Sequence, residues 1–405
     1  MRFKANDLET IAEKLDISPT MYEYAVARYQ GISQYLADNG IDADFYPQGS
    51  FRTGTVVRPI KDGAEADYDI DVVCELSLKK DTTTPKHTKK AVGQALADST
   101  VYKDKLQPEE DRCWTLKYAD VSDGIGFSLD VVPSVGESNT AIAGLINSGV
   151  QIQYAGTALA ITEKRGADNY SWLPSNPKGF GNWFDQINKP FHDYQFESRR
   201  KAFFESNRKQ FRADAVVETV PDYHIKSSLQ RSIQILKRHR DLYYTRVENG
   251  KDLRPASVII TSLAARAAAG ASPSLGLEGL LMHIAYGLRD YSSLLQGRTP
   301  VARFDGDRRT IIQKKSGKWY IPNPVNPNDN YADAWTDETA KMFFKWIDAV
   351  VKDLVDATPT NEGQYIAGLQ RSFGTKFANT ALSLSDSATR STTPVTTPTR
   401  PWGKS

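Results

Sequence analysis

Residues 44–50 read Asp-Phe-Tyr-Pro-Gln-Gly-Ser, and residues 66–74 read Ala-Asp-Tyr-Asp-Ile-Asp-Val-Val-Cys. The first stretch predicts a short strand that ends in a Gly-Ser turn. The second alternates aspartate with apolar residues, which is the period of a β-strand, so Asp69 and Asp71 share one face while Ile70 points to the other. Such a turn can hold a triphosphate, and paired carboxylates can bind divalent metal ions beside it. Together the two stretches predict a nucleotidyl-transfer site.

A third carboxylate comes from a later apolar strand. Asp130 is the single acid in Phe-Ser-Leu-Asp-Val-Val-Pro, residues 127–133. Burying an unpaired acid is costly unless it is hydrogen-bonded or binds a metal, so Asp130 is the best candidate to join Asp69 and Asp71 as a catalytic and metal-binding residue. Asp67 shares their face, and we interpret it as an exposed edge residue.

The turn itself is expected to bind the phosphates. Gly49 and Ser50 supply backbone N–H groups and a hydroxyl, with Gln48 before them, and the glycine lets a phosphate approach the backbone closely. Arg52 and Thr53 add contacts. Taken singly, a Gly-Ser pair is most often a plain turn and alternating aspartates are most often a solvated face. The order and spacing of all three features carry the prediction.

Composition limits the class of protein. The chain has 405 residues, enough for two domains, and a formal net charge of only +2, so we expect no long nucleic acid as a partner. Cys74 and Cys113 lie outside any zinc-like cluster and are expected to be buried thiols in a reducing compartment. The chain shows no apolar run of membrane-span length and no signal-peptide core near its start. These features predict a cytosolic protein without a membrane partner.

The periodicity predicts an α+β fold with two lobes. A long helix follows Ser18-Pro19, and strands and one helix (residues 85–97) occupy 43–135. Residues 165–190, rich in Trp, Asn, Pro and Gly, are expected to form a loop, and Arg303–Ile321 a hairpin around Ser316-Gly317. Helices are predicted over residues 196–210, 222–243, 255–269, 275–294, 334–355 and 361–372.

The predicted domains are an α/β lobe over residues 1–195 and a helical lobe over 196–383, with the ligand site in the cleft between them. Residues 384–405 are rich in Ser, Thr and Pro and are expected to be a disordered tail.

Gly-Ser, then Asp-x-Asp, then a lone Asp on a later strand resembles the signature of the polymerase-β-like nucleotidyltransferases. The strings Gln-Gly-Ser-Phe-Arg-Thr-Gly-Thr-Val-Val-Arg-Pro (48–59) and Leu-Asp-Val-Val-Pro (129–133) resemble more narrowly those of the bacterial CD-NTases, relatives of animal cyclic GMP-AMP synthase and oligoadenylate synthase. The resemblance covers about residues 20–380. One departure is the long gap between Ser50 and Asp69.

The resemblance implies two nucleotide-binding residues in the helical lobe. Lys237 takes the position of a helix lysine that touches the nucleotide phosphates, and Ser257 that of a serine at the next helix start. Without the resemblance, we would interpret Lys237 as part of a solvated basic face and Ser257 as an ordinary helix-start residue. Asn323–Asn330 resembles a late Pro/Asn loop of the family.

The resemblance also implies the activity and its partners. It implies a bilobed fold and template-independent synthesis of a cyclic di- or trinucleotide from NTPs, with ATP as one substrate and two Mg²⁺ ions, for which Mn²⁺ can substitute. It further implies a role in CBASS anti-phage signalling. A HORMA-like or conjugating partner is expected to act through the C-terminal tail, on a monomeric enzyme.

Three alternatives stay open from the sequence. One is a linear, oligoadenylate-like synthase or another nucleotidyltransferase. The second is a nucleotide-binding scaffold without turnover, which the complete carboxylate set disfavours. The third is a sensor activated by nucleic acid, which the near-neutral charge disfavours.

Overall fold

The computed structural model describes residues 7–58, 60–61, 64–65, 68–122, 125–206, 225–300, 311–356 and 362–384. The predictions for Asp67 and for residues after Leu384 lie outside these ranges.

Twelve strands occur in the described ranges. They are β1 (Ala43–Pro47), β2 (Ile60–Lys61), β3 (Ala64–Glu65), β4 (Tyr68–Lys79), β5 (Trp114–Ser122), β6 (Ile125–Gly136), β7 (Leu159–Arg165), β8 (Asn169–Ser175), β9 (Gln313–Lys315), β10 (Lys318–Tyr320), β11 (Pro322–Asn323) and β12 (Asn326–Asn330).

The α-helices of the same ranges number fourteen. They are α1 (Asp7–Lys14), α2 (Pro19–Asp38), α3 (Gly49–Arg52), α4 (Pro85–Ala97), α5 (Asn139–Asn147), α6 (Ile152–Ala155), α7 (Pro177–Ser206), α8 (Ser228–Tyr244), α9 (Gly250–Leu253), α10 (Ser257–Ala268), α11 (Gly276–Arg289), α12 (Asp337–Val350), α13 (Glu362–Phe373) and α14 (Thr375–Ala381).

Local sequence sets several helix starts. The Ser18 side chain accepts a hydrogen bond from the Met21 N–H, so the predicted start of α2 is confirmed. Ser227 caps α8 in a capping box with Gln230, in which each side chain binds the other residue's backbone N–H. These caps satisfy N–H groups that have no partner within their helix.

Six strands form the main sheet, in the order β1-β4-β6-β7-β8, with β5 also paired to β6. β4 and β6 run parallel, and the other neighbours run antiparallel. The strands predicted around residues 68–74, 114–118 and 127–132 are confirmed. The predicted turn at Ser316-Gly317 is also confirmed, since β9 and β10 pair across it.

Two main cores support the two lobes. The first joins the sheet to α2 and α4, through side chains such as Leu36, Val72 and Leu129. The second joins α8, α10, α11, α12 and α13, and also takes in Ile11 of α1. The mixed α/β lobe and the helical lobe of the predicted fold class are therefore both present. Each predicted helix of the second lobe has a counterpart among α7–α13.

The predicted loop over residues 165–190 is wrong. This stretch contains β8 and the first half of α7. Asn176, Pro177 and Gly179 lie at the start of α7, where the Asn176 Oδ1 accepts a hydrogen bond from the Gly179 N–H (2.9 Å), while Pro190 lies inside the helix. α7 also continues across residues 195 and 196, so the proposed domain boundary falls within one helix and stays a prediction.

No single helix within the described ranges has the length and apolar composition of a membrane span. One pair, Ser257–Ala268 with Pro273–Gln296, meets these criteria jointly but is bent by 108°.

Candidate active site

The sheet brings the three predicted carboxylates together. Asp71 of β4 lies directly opposite Asp130 of β6 in the parallel register, and Asp69 lies opposite Ser128. Because paired residues in a parallel sheet share a face, and residues two apart on a strand do too, all three carboxylates project from one face.

Hydrogen bonds fix two of these carboxylates. The Thr115 hydroxyl donates to Asp130 Oδ1 at 2.5 Å, and the Ser128 hydroxyl donates to Asp69 Oδ1 at 2.5 Å. Thr115 can reach because β5 pairs with β6 and places Thr115 opposite Asp130. Asp71 lies between the two fixed acids.

The carboxylates destabilise one another's charged forms. Burial raises the pKa of Asp71 to about 6, and the charges of Asp130 and Asp69 add to the shift. Burial also raises the pKa of Asp130 to about 6, against the opposing effect of the Thr115 hydrogen bond. Across the described residues, no Lys or Arg forms an ion pair with these acids. The site therefore holds concentrated negative charge.

This donor set fits Mg²⁺ brought in with a substrate. Mg²⁺ takes oxygen ligands and is usually held by one or two carboxylates together with substrate phosphates. The described part of the chain contains no group of three or more His, Cys, Asp or Glu side chains placed to hold a metal by themselves. Such a cation would relieve the repulsion that raises the pKa of Asp71. Metal binding by Asp69, Asp71 and Asp130 stays a prediction.

The Gly-Ser turn lies against Asp71. The Gln48 N–H donates to the Asp71 carbonyl oxygen at 2.9 Å, which extends the β1–β4 ladder up to the turn. Gly49 then begins the short helix α3 with a φ of +62°, and a Cβ there would lie 3.0 Å from Asp71 Oδ2. Glycine is required for both the backbone angle and the close approach.

Side chains from the start of the helical lobe hold the segment that follows the turn. Lys226 and four residues of α8 donate to five backbone carbonyls within residues 53–58. The pairs are Gln230 with Thr53 (3.0 Å), Lys226 with Gly54 (2.8 Å), Lys237 with Thr55 (3.1 Å), Gln234 with Val56 (2.8 Å) and Arg238 with Arg58 (3.2 Å). The helical lobe thereby positions the loop between the turn and β4.

Lys237 is buried rather than solvated. Its Nζ also donates to the Thr55 hydroxyl at 2.9 Å, and burial together with the nearby Arg240 charge lowers its pKa to about 7. It nevertheless lines the cavity described next, and phosphate binding by Lys237 stays a prediction.

A cavity of about 520 Å³ lies between the lobes and contains most of the predicted site. Its lining includes all the predicted nucleotide-binding residues and two of the three predicted catalytic ones. They are Gln48, Gly49, Ser50, Arg52, Lys237, Ser257, Asp69 and Asp71. Asp130 does not line it and lies beside Asp71 on the sheet. The volume is in the usual range for a small-molecule site.

Two of these residues are engaged by neighbours. Arg52 forms an ion pair with Asp185 of α7 (2.6 Å) and a weaker hydrogen bond to Asn182. The Ser257 hydroxyl accepts a hydrogen bond from Arg240 at 3.2 Å. Both side chains still face the cavity.

Several cavity residues have no role predicted from the sequence. They include Asn176, Phe180, Arg240, Asp241, Asn323, Asp329 and Tyr331. A signal existed for two of them, because the Pro/Asn segment supplies Asn323 and Asp329. Asn176 and Phe180 were hidden because their segment was interpreted as a loop.

Comparison with known families and proteins agrees with this geometry. Residues 43–131, which contain the turn and all three carboxylates, match the family model of the "Cyclic GMP-AMP synthase DncV-like, nucleotidyltransferase domain". A c-di-GMP synthase of Roseivirga ehrenbergii is 27% identical over 348 residues, which is 84% of this chain and 76% of the relative.

Solved structures share the fold over nearly the whole chain. The CD-NTase CdnG of Bradyrhizobium diazoefficiens, solved in complex with GTP, has a TM-score of 0.64 and 22% identity over 93% of this chain and 97% of its own. CdnC of E. coli MS115-1, solved with ATP, has a TM-score of 0.55 and 16% identity over 93% and 99%. The CD-NTase resemblance and the bilobed fold expected from the sequence are thus confirmed.

Proposed function

Because this chain belongs to the CD-NTase family of nucleotidyltransferases, we propose that it joins nucleoside triphosphates into a cyclic di- or trinucleotide and releases pyrophosphate. The observation that carries the proposal is the placement of Asp69, Asp71 and Asp130 on one sheet face, with Gly49 against Asp71 at the wall of the inter-lobe cavity. This arrangement sets acidic groups beside a position for a triphosphate.

The residues divide into two groups by role. Asp69, Asp71 and Asp130 would hold two Mg²⁺ ions. Gln48, Gly49, Ser50, Arg52, Lys237 and Ser257 hold the phosphates of the donor nucleotide. When bound there, Mg²⁺, or Mn²⁺ in its place, would supply Lewis-acid activation of the acceptor ribose hydroxyl and would neutralise charge on the leaving pyrophosphate.

Asp130 lowers the pKa of the acceptor ribose hydroxyl or takes its proton. The oxygen then attacks the α-phosphate of the donor, and pyrophosphate leaves. Without a bound cation, burial raises the pKa of Asp130 to about 6, so the carboxylate is mostly ionised at neutral pH, and a bound cation would favour the ionised form further. A second attack within the same cavity closes the ring.

The substrates are ATP, GTP or both. ATP follows from the sequence resemblance, which leads us to expect adenine in the product. GTP is proposed because a relative that is 27% identical is a c-di-GMP synthase. The cavity volume of about 520 Å³ accommodates nucleotide-sized ligands.

The deciding experiment is incubation of the full chain with all four NTPs and Mg²⁺ or Mn²⁺, followed by mass spectrometry after phosphatase treatment. A phosphatase-resistant cyclic product supports the proposal and gives its ring size and bases. A product with free ends indicates a linear synthase. Nucleotide binding without pyrophosphate release indicates a scaffold. Activity that requires added DNA or RNA would establish the sensor alternative.

The matched variants are Asp71→Asn and Asp69→Asn. Each removes one negative charge with little change in volume, so we expect pyrophosphate release to fall below detection. The melting temperature should stay within a few degrees of the wild type or rise for Asp71→Asn, because the substitution relieves repulsion with Asp130. Retained turnover in both variants would exclude the carboxylates as the catalytic centre.

The cellular role is a separate part of the proposal. A place in CBASS anti-phage signalling, in the cytosol, and a HORMA-like or conjugating partner come from the resemblance. E. coli CdnC has been solved with a HORMA protein and shares the fold at 15% identity. A chain ending at Leu384 should keep its synthesis rate and its monomeric mass while losing partner capture. Loss of synthesis would mean that the tail supports the fold.

A further inference from the structure

Among the described residues, four carboxylates line the cavity, and three of them have an observed or proposed partner. Asp69 and Asp71 belong to the proposed metal site. Asp241 is buried and forms ion pairs with Arg240 (2.7 Å) and Arg254 (3.5 Å). Asp329 is exposed, and within the described ranges no Lys or Arg forms an ion pair with it. It is therefore the cavity carboxylate that is free to accept hydrogen bonds from a ligand.

The β11–β12 hairpin holds Asp329 in place. The Asn323 Nδ2 donates to Asp329 Oδ2 at 3.0 Å, and the Asn323 Oδ1 accepts from the Val325 N–H at 3.0 Å. Because its oxygen is already bonded, the amide of Asn323 has a fixed orientation and presents its N–H to Asp329. Each carboxylate oxygen has two lone pairs, so Asp329 can accept further hydrogen bonds.

The chemistry of this acceptor favours one base. An ionised carboxylate only accepts, so it needs a partner with adjacent donors. The Watson–Crick edge of guanine presents the N1–H and the 2-amino group side by side, which match the two carboxylate oxygens. Adenine presents one donor beside an unprotonated nitrogen, whose lone pair repels the carboxylate. Tyr331 also lines the cavity, two residues away, and supplies an aromatic surface near the base.

We propose that Asp329 recognises the Watson–Crick edge of guanine and makes one nucleotide position of the cavity selective for GTP. This inference rests on the proposed function, because it assigns a base to one of its substrates. The second nucleotide position is left open to ATP or GTP.

The test compares wild type with Asp329→Asn and uses GTP, ITP and ATP. ITP is GTP without the 2-amino group, so it removes one of the two proposed hydrogen bonds. We expect wild-type kcat/KM to favour GTP over ITP by about 10-fold. The nonhydrolysable analogue of GTP should likewise bind with a dissociation constant about 10-fold lower than that of the ITP analogue. In Asp329→Asn this preference should fall to within about 2-fold. Use of ATP should rise, since an amide can accept from the adenine 6-amino group and donate to N1.

Asp333→Asn is the matched control, because it makes the same change at an exposed position of the next segment that does not line the cavity. It should keep the wild-type ratios. An unchanged GTP:ITP ratio in Asp329→Asn, or a wild type without preference for GTP, would overturn the assignment. If the wild type releases no pyrophosphate from any NTP, the proposed function fails, while the binding ratios still decide the role of Asp329.

Discussion

The Lys237 ammonium donates to both the carbonyl oxygen and the hydroxyl of Thr55, at 3.1 and 2.9 Å. This contact joins α8 of the helical lobe to the segment that follows the Gly-Ser turn. Gln234 and Arg238 make similar contacts to the carbonyls of Val56 and Arg58. The position of the turn is therefore determined jointly by both lobes, and Lys237 has a structural role as well as a place at the cavity wall.

Burial of Lys237 makes stability depend on pH in a defined window. Its folded pKa of about 7 lies below the ordinary 10.5, so between these values the unfolded chain binds more protons than the folded one. The contribution of Lys237 to stability therefore rises with pH from about 7 to 10.5 and is constant below 7. The free energy of unfolding of the wild type should increase relative to Lys237→Met across pH 7, 8 and 9, as measured by urea unfolding. A difference that is independent of pH would show that Lys237 is charged in the fold.

Binding of a triphosphate should protonate Lys237. Phosphate charge near the ammonium favours its charged form, so its pKa rises on binding and the complex takes up a proton at pH 8. Calorimetry of a nonhydrolysable NTP in two buffers of different ionisation enthalpy measures this uptake. We expect up to about one proton for the wild type and markedly less for Lys237→Met. Equal proton uptake by the two proteins would show that Lys237 does not bind the phosphates.

The local parts of the site could be predicted from the sequence, and the contacts made across the chain could not. Asp69 and Asp71 share a face because of strand periodicity alone, and Asp130 was visible as an acid in an apolar strand. The burial of Lys237 was not visible, because a lysine on a helix is normally solvated and only the packing of residues 53–58 against α8 covers it. The secondary structure of residues 165–190 could not be predicted for a similar reason. Asn176 and Pro177 are as common at the start of a helix as in a loop.

Arg52 is held by Asp185, and this pair makes its role testable. If Arg52 binds the triphosphate, it must weaken its 2.6 Å ion pair, so Asp185→Asn should lower KM for the NTP. The pair is partly exposed, and the effect should be about 2- to 5-fold, with kcat unchanged. Arg52→Ala should raise KM. Asp193→Asn, which removes the exposed Lys189–Asp193 pair of the same helix, is the control and should leave KM unchanged. If Asp185→Asn leaves KM unchanged, Arg52 does not bind the triphosphate and has only a structural role, in its ion pair with α7.

Gly49→Ala should separate catalytic geometry from backbone strain. The residue has a φ of +62°, and a Cβ would lie 3.0 Å from Asp71 Oδ2, so the variant both strains the turn and displaces the central carboxylate. Gly40→Ala is the matched control, because Gly40 has a φ of +85° with nothing within 4 Å of the added Cβ. Both variants should lose about 1 kcal/mol of stability in urea unfolding. Only Gly49→Ala should lose pyrophosphate release, by about 100-fold, as expected for a misplacement of about 1 Å. Equal activity in the two variants would show that the contact between the turn and Asp71 does not control the reaction.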